Sequence, residues 1–139
     1  MQTSTEQNQT HRVPRELLLF GAIGTLGFLV DAATLYAVKG ITPNLYIGRV
    51  ISYFVAATVT WYCNRRLTFR SRSRNLAREW FVFICANGVG GVANYSTFAA
   101  LVAGVEIARS FPVLAVGAGS LVGMVFNFVA SKYVVFKRS

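Results

Sequence analysis

The chain has 139 residues, of which 54% are hydrophobic and 14% are charged, and its mean hydropathy is +0.48. A soluble domain carries about 25% charged residues, so this composition argues against a water-soluble enzyme and also against an intrinsically disordered chain. Fourteen Lys and Arg against five Asp and Glu give a net charge of +9, which in a membrane protein indicates a cytoplasmic face beside anionic lipid.

Four apolar segments follow a polar beginning. We predict a disordered cytoplasmic tail over residues 1–14 and a single transmembrane domain over residues 15–139. The apolar segments cover about residues 17–38, 45–63, 80–103 and 111–130. Each supplies roughly the 20 apolar residues that a membrane-spanning helix needs, and none leaves the polar face of a soluble bundle helix. We therefore predict an all-α integral membrane protein with four transmembrane helices.

The basic residues predict how these helices are oriented. Eleven of them precede the first segment, lie between the second and third, or follow the fourth. Only Lys39 and Arg109 lie on the opposite side, and Arg49 falls inside the second segment. By the positive-inside rule, both termini and the loop over residues 64–79 are cytoplasmic.

A shift of 67 residues aligns the two halves of the chain. It places residues 64–70 on residues 131–137, and it places Gly21, Gly24 and Phe28 on Gly88, Gly91 and Tyr95. It also aligns two stripes of small or polar residues that recur every four positions: Gly48, Ser52, Ala56, Thr60 and Asn64, and Ala115, Gly119, Gly123, Asn127 and Ser131. Such spacing lets membrane helices approach closely. We predict two parallel helical-hairpin repeats, about residues 15–70 and 79–137, whose second helices meet along these stripes.

Two charged residues fall inside the predicted spans. At about 1.5 Å per residue, Asp31 and Arg49 lie roughly 10 Å and 6 Å inside the outer boundary, on neighbouring helices. They could therefore pair across the first hairpin. An ionisable residue within a membrane predicts a functional site, here for the headgroup or for proton coupling, whereas the alternative is a static ion pair. The shift of 67 makes Phe98 and Val116 their counterparts, so the pair would belong to the first repeat alone.

Three asparagines also fall inside the spans. Asn87 and Asn94 share a face of the third helix by their spacing, and Asn127 lies on the stripe of the fourth. They could bind sugar hydroxyls or hydrogen-bond between helices, and we favour the second role.

Three short motifs carry a family resemblance. They are Phe20-x-x-x-Gly24 with Asp31, Asn64-Arg65-x-Leu67-x-Phe69, and Asn127-Phe128-x-x-Ser131-Lys132-x-x-Val135-Phe136. In this order and spacing they resemble the GtrA-like family of small bacterial membrane proteins, over about residues 15–137. Leu67 departs from the aromatic residue that the family often has there. The resemblance implies flipping of a polyprenyl-phosphate-linked sugar across the bacterial cytoplasmic membrane for cell-surface polysaccharide or cell-wall synthesis. The alternative that it implies is a non-transporting anchor or scaffold for a glycosyltransferase.

A flippase for such a lipid needs cations for the phosphate and polar groups along its path. Arg65 and Lys132 occupy matching positions at the cytoplasmic boundary, and with Arg66 they are predicted to bind the phosphate. Equally, they could be ordinary basic anchors at the membrane surface. The predicted intramembrane polar path consists of Asp31, Arg49, Asn64, Asn87, Asn94, Asn127 and Ser131. The sequence has no catalytic set, metal-ligand spacing or nucleotide-binding motif, so we expect neither an enzyme nor a cofactor.

The expected partners follow from this function. They are the polyprenyl-phosphate sugar lipid, anionic membrane lipids and, on the scaffold alternative, a glycosyltransferase. Nucleic acid is not expected, because the Arg-rich loop lacks stacking aromatic residues. Four helices enclose little space, so we expect a homo-oligomer, most simply a dimer. A proton-coupled exporter of small cations is less favoured, because the basic inner face suits anionic cargo.

Overall fold

The computed structural model of the protein describes residues 12–137, apart from the side chains of residues 45 and 46. Within that range the chain forms helices and no strand. The helices are α1 (Arg12–Lys39), α2 (Leu45–Cys63), α3 (Leu76–Gly104), α4 (Glu106–Ser110) and α5 (Pro112–Ala130). Two π-helical turns, π1 (Asn64–Thr68) and π2 (Ser131–Val135), continue α2 and α5. The contacts divide the chain into two compact units, Met1–Arg72 and Ser73–Ser139, and each unit is a helical hairpin.

Each predicted apolar segment corresponds to one long helix. The bounds of α2 are those predicted, whereas residues 12–14, which we assigned to the tail, are already helical. The rest of the predicted tail lies outside the described residues. Helix α3 begins four residues earlier than predicted, because the side-chain oxygen of Asn75 caps it by accepting a hydrogen bond from the Arg78 amide at 3.0 Å. The short helix α4 was not predicted.

Small residues let the two helices of each hairpin approach closely. In the first hairpin, α1 packs on α2, and a Cβ atom added to Gly27 would overlap the side chain of Thr60. In the second, α3 packs on α5, and a Cβ atom added to Gly123 would lie 2.9 Å from the carbonyl oxygen of Gly90. The small-residue stripes are therefore the packing faces within each hairpin. The expected contact of the second with the fourth helix was the wrong use for them.

The two hairpins repeat the same burial pattern with two different shifts. The stripes of α2 and α5 keep the shift of 67 residues. The buried residues of α1 and α3 instead correspond at a shift of 63: Glu16, Phe20, Ile23 and Gly27 match Glu79, Phe83, Ala86 and Gly90. The predicted pairing of Gly21, Gly24 and Phe28 with Gly88, Gly91 and Tyr95 was therefore wrong. The four-residue difference is absorbed by a longer α3 and by α4.

The outward faces of the helices are apolar. Large side chains such as Leu18, Phe28 and Val113 are more than two-thirds exposed, whereas alanine, glycine and serine occupy much of the helix contacts. The stretches Arg12–Lys39 and Pro112–Val135 are each long and apolar enough to cross a membrane. An exposed apolar surface of this extent suits contact with lipid.

Candidate functional site

The two ends of each hairpin differ in chemistry. We call the end that carries π1 or π2 the basic end, because the predicted phosphate-binding residues lie there. The opposite end, where residues 40–44 or 105–111 join the helices, is the loop end.

At the basic end of the first hairpin, π1 is held by buried hydrogen bonds. The Phe69 amide donates to the carbonyl oxygen of Asn64 at 2.9 Å, which closes the π-turn. The Thr68 hydroxyl donates to the side-chain oxygen of Asn64, also at 2.9 Å, and both side chains are buried. Asn64 therefore shapes the turn. It was predicted to belong to a polar path, but its side-chain oxygen is occupied within the turn.

The π-turn positions Arg65 and leaves Arg66 at the surface. The guanidinium of Arg65 is half-buried, and its Nη1 donates to the Ser71 hydroxyl at 3.2 Å, while the Ser71 amide donates to the Arg65 carbonyl oxygen at 2.9 Å. Arg66 is exposed, with its guanidinium 5.5 Å from the centre of the Tyr62 ring. Arg65 is thus a held cation, whereas Arg66 has the surroundings of a surface anchor.

The basic end of the second hairpin repeats this arrangement with different side chains. The Phe136 amide donates to the Ser131 carbonyl oxygen at 2.8 Å. Lys132 is half-buried like Arg65, and its Nζ lies 5.8 Å and 5.9 Å from the ring centres of Phe128 and Tyr133. Ser131 is buried, and its hydroxyl has no partner among the described residues. Each hairpin therefore presents one partly shielded cation at the same position of its π-turn.

Sequence reasoning missed two buried glutamates near these turns. Glu16 and Glu79 are 8% and 4% exposed, and they occupy equivalent positions on α1 and α3. One turn further along each helix, Phe20 packs against Phe69, which follows π1, with the ring centres 6.2 Å apart. The equivalent pair in the second hairpin has its ring centres 6.0 Å apart. The signal in the sequence was the repeated Arg-Glu dipeptide at residues 15–16 and 78–79, which the shift of 67 hides.

Asp31 and Arg49 form the ion pair that their positions suggested. The Arg49 Nη1 lies 2.8 Å from the Asp31 Oδ2, with side chains 56% and 21% exposed, respectively. The Asp31 Oδ1 is buried and has no hydrogen-bond partner among the described residues. Under the shift of 63, the counterpart of Asp31 is Asn94 and not Phe98, so the second hairpin has an amide where the first has a carboxylate.

The three intramembrane asparagines are not brought together. The Asn87 Nδ2 donates to the Phe83 carbonyl oxygen on its own helix at 3.0 Å. Asn94 faces α5, where a Cβ atom added to Gly119 would lie 2.6 Å from its Oδ1. Asn127 faces Gly90 on α3, and its Oδ1 is buried without a partner among the described residues. Asn94 and Asn127 therefore lie in the contact between helices, where we favoured them.

These features define a membrane protein domain of two close-packed helical hairpins with one held cation each. The chain belongs to the family described as GtrA/DPMS, transmembrane domain, whose model matches residues 19–136 and so covers both hairpins. The family links the chain to processes that use lipid-linked sugars. A comparison with curated proteins found no match.

Proposed function

We propose that this chain flips a polyprenyl-phosphate-linked sugar across the bacterial cytoplasmic membrane, for the synthesis of cell-surface polysaccharide or cell wall. The observation that carries the proposal is the equivalent placement of Arg65 and Lys132 at the two basic ends. Each is half-buried, so an anion that binds there is screened less by water than at a fully exposed residue. Arg65 offers a guanidinium that can bind a phosphate in bidentate fashion.

The proposal includes a topology of four spans. Both termini and the loop over residues 64–79 are cytoplasmic, and the protein is a multi-pass protein of the inner membrane with two parallel hairpins. The bias of eleven basic residues against two supports this orientation. Helix α2 has 19 residues, or about 28 Å at 1.5 Å per residue, which is close to the roughly 30 Å of the hydrocarbon core.

The basic ends then lie where the phosphate enters from the inner leaflet. The polyprenyl tail stays in lipid, while the charged headgroup, which costs several kcal/mol at mid-bilayer, needs polar contacts on its way. No catalytic residue or cofactor is required. The helices within each hairpin are in close contact at Gly27 and at Gly90, so the headgroup does not pass between them. This packing supports a homo-oligomer, most simply a dimer, as the transporting form.

One observation favours a second candidate, a membrane anchor or scaffold for a glycosyltransferase. Asn94 and Asn127, which were predicted to line a polar path, lie in the contact between α3 and α5. A scaffold needs such helix contacts and no path for a headgroup. In that case the apolar outward faces would bind the membrane part of the enzyme.

Accessibility of the headgroup in vesicles separates the two candidates. The purified protein is reconstituted with a fluorescent polyprenyl-phosphate sugar, and an impermeant quencher or glycosidase is added outside. We expect the inner-leaflet fraction to become accessible only when the protein is present. Arg65→Gln should slow this at least about tenfold, because a charge-assisted hydrogen bond contributes about 1.5–3 kcal/mol. Arg72→Gln, at an exposed arginine of the same loop, is the matched control and should have little effect.

An inner-leaflet fraction that stays protected although the protein is folded would contradict the flippase proposal. The scaffold would then be the better account. The next measurement would be co-purification of a glycosyltransferase with the full chain.

A further inference from the structure

The loop ends of the two hairpins differ in how their cations are used. The first hairpin has Lys39 and Arg49 there, and the second has Arg109. Arg49 corresponds to Val116 in the second hairpin under the shift of 67 residues. The first hairpin therefore carries one more cation at its loop end, although the helices beneath it pack alike.

In the second hairpin the cation is occupied by its own hairpin. The Arg109 Nη2 donates to the Ala103 carbonyl oxygen at 2.9 Å, and its Nε donates to the Val102 carbonyl oxygen at 3.3 Å. Its Nη1 also lies 3.6 Å from a carboxylate oxygen of Glu106. A cation at the carbonyl end of a helix is stabilised by the helix dipole. Arg109 is thus a cap for α3.

In the first hairpin, by contrast, Lys39 lines a cavity of about 170 Å³. The remaining lining residues are Leu35, Thr42, Pro43, Asn44 and Gly48. The Thr42 hydroxyl oxygen accepts a hydrogen bond from the Asn44 amide, and the Asn44 Oδ1 accepts one from the Ile47 amide, both at 3.4 Å. These contacts hold the connection in place around an opening that an ammonium, a hydroxyl and an amide group share.

The Asp31–Arg49 ion pair lies next to this cavity. Asp31 precedes the cavity residue Leu35 by one helical turn, and Arg49 follows the cavity residue Gly48. Of the five N–H donors of a guanidinium, one on Nη1 faces Asp31, and the side chain remains more than half exposed. Asp31 therefore positions Arg49 without covering it. The three charged groups Lys39, Arg49 and Asp31 sum to one positive charge.

We propose that the loop end of the first hairpin is a second phosphate-binding site, in which Lys39 and Arg49 bind the phosphate group and Asp31 is a positioning residue. The cavity is smaller than the roughly 300 Å³ of typical pockets for whole organic ligands, so it fits a phosphate group rather than a complete lipid-linked sugar. On the topology of the proposed function, on which this step rests, the site faces outside. It would receive the phosphate of a lipid that leaves the membrane interior, or free phosphate from solution.

Binding at this end can be measured without transport. In a full-length background with Cys63→Ser and Cys85→Ser, Ile41→Cys is labelled with an environment-sensitive fluorophore, because Ile41 is 85% exposed and precedes the cavity residue Thr42. The protein is placed in phosphatidylcholine nanodiscs and titrated with polyprenyl phosphate, with the neutral polyprenol, and with inorganic phosphate. We expect a saturable change with polyprenyl phosphate or inorganic phosphate and none with polyprenol. The effective one of the two phosphate probes identifies the source of the ligand.

Variants then assign the residues. We expect Lys39→Gln and Arg49→Gln to weaken binding at least about tenfold each, while Arg109→Gln leaves it unchanged. Because Arg49→Gln leaves Asp31 without its cation, the double variant Asp31→Asn/Arg49→Gln tests the same loss in a neutral background, and Arg49→Lys should retain part of the affinity. Saturable binding of neither phosphate probe, or an equal loss in Arg109→Gln, would overturn the proposal. Vesicles that show no flipping while the label still reports phosphate binding would count against the proposed function alone.

Discussion

The two hairpins of this protein share their packing and differ in their chemistry. Their basic ends match position by position, from the buried glutamate to the half-buried cation of the π-turn. Their loop ends do not match: the first holds the Asp31–Arg49 pair and a cavity lined by Lys39, whereas the second has Asn94 and a capped arginine. A duplicated hairpin can thus keep the residues that hold its helices together while one copy acquires charge.

The largest effect is expected where the copies are most alike. If both basic ends bind the phosphate, Arg65→Gln and Lys132→Gln should each slow flipping about tenfold, and the double variant about a hundredfold if their effects add, as expected for independent sites. The measurement is the accessibility of the fluorescent lipid in vesicles. A double variant no slower than Arg65→Gln alone would show that only the first basic end is used.

The second prediction exchanges packing residues between the copies. Gly119→Ser and Gly123→Ala give the second hairpin the residues of the first, Ser52 and Ala56. A Cβ atom at either position would meet backbone of α3, 2.7 Å from the Asn94 carbonyl oxygen or 2.9 Å from that of Gly90. We expect each to destabilise the fold by about 1–3 kcal/mol, measured by thermal unfolding in detergent.

The control for this exchange is on the same helix. Gly117 has open space around the position of a Cβ atom, so Gly117→Ala should be neutral or stabilise the helix by up to about 1 kcal/mol. Equal unfolding temperatures for Gly123→Ala and Gly117→Ala would mean that the second hairpin is no more tightly packed than the first.

The third prediction removes the charge that distinguishes the first hairpin. Asp31→Asn introduces the residue that the second hairpin has at Asn94, and it leaves Arg49 without its carboxylate. We expect a loss of about 1 kcal/mol in stability, because Arg49 is more than half exposed, together with slower flipping. Transport that stays unchanged at every pH would exclude Asp31 from headgroup binding and from proton coupling.

The smallest effect is expected for Asn127→Thr, which copies Thr60 of the first hairpin. The Asn127 Oδ1 is buried without a partner among the described residues, and a threonine already packs on the equivalent glycine, Gly27. The stability should therefore change by less than about 1 kcal/mol, as measured by thermal unfolding. If flipping is lost while the unfolding temperature is kept, Asn127 contacts the substrate and is more than a packing residue.

The small-residue stripes show how far periodicity alone can be used. The four-residue spacing of Ser52 and Ala56, and of Gly119 and Gly123, correctly predicted packing faces, because residues four apart share one side of a helix. The spacing does not say which helix packs there. Gly27 and Gly90 decided that, because each leaves room for a residue of the following helix.

The candidate site was predictable in part for a similar reason. Arg65 and Lys132 stand in contiguous motifs, so a single shift aligns them. Glu16 and Glu79 were missed because the loop ends differ in length, which changes the shift between the first helices to 63. A single fixed shift cannot register that change, and it also gave Asp31 the wrong counterpart.

The sequence by itself determined the helical class, the four apolar segments, the excess of cations and the family resemblance, because these depend on composition and on local spacing. Only the tertiary structure decided which helices use the small-residue stripes, that Asp31 and Arg49 meet, and that Arg109 caps α3 while Lys39 lines a cavity. The physical reason is that contacts between helices depend on the length and path of the connections. Two hairpins with nearly the same helices therefore present different charges at their loop ends.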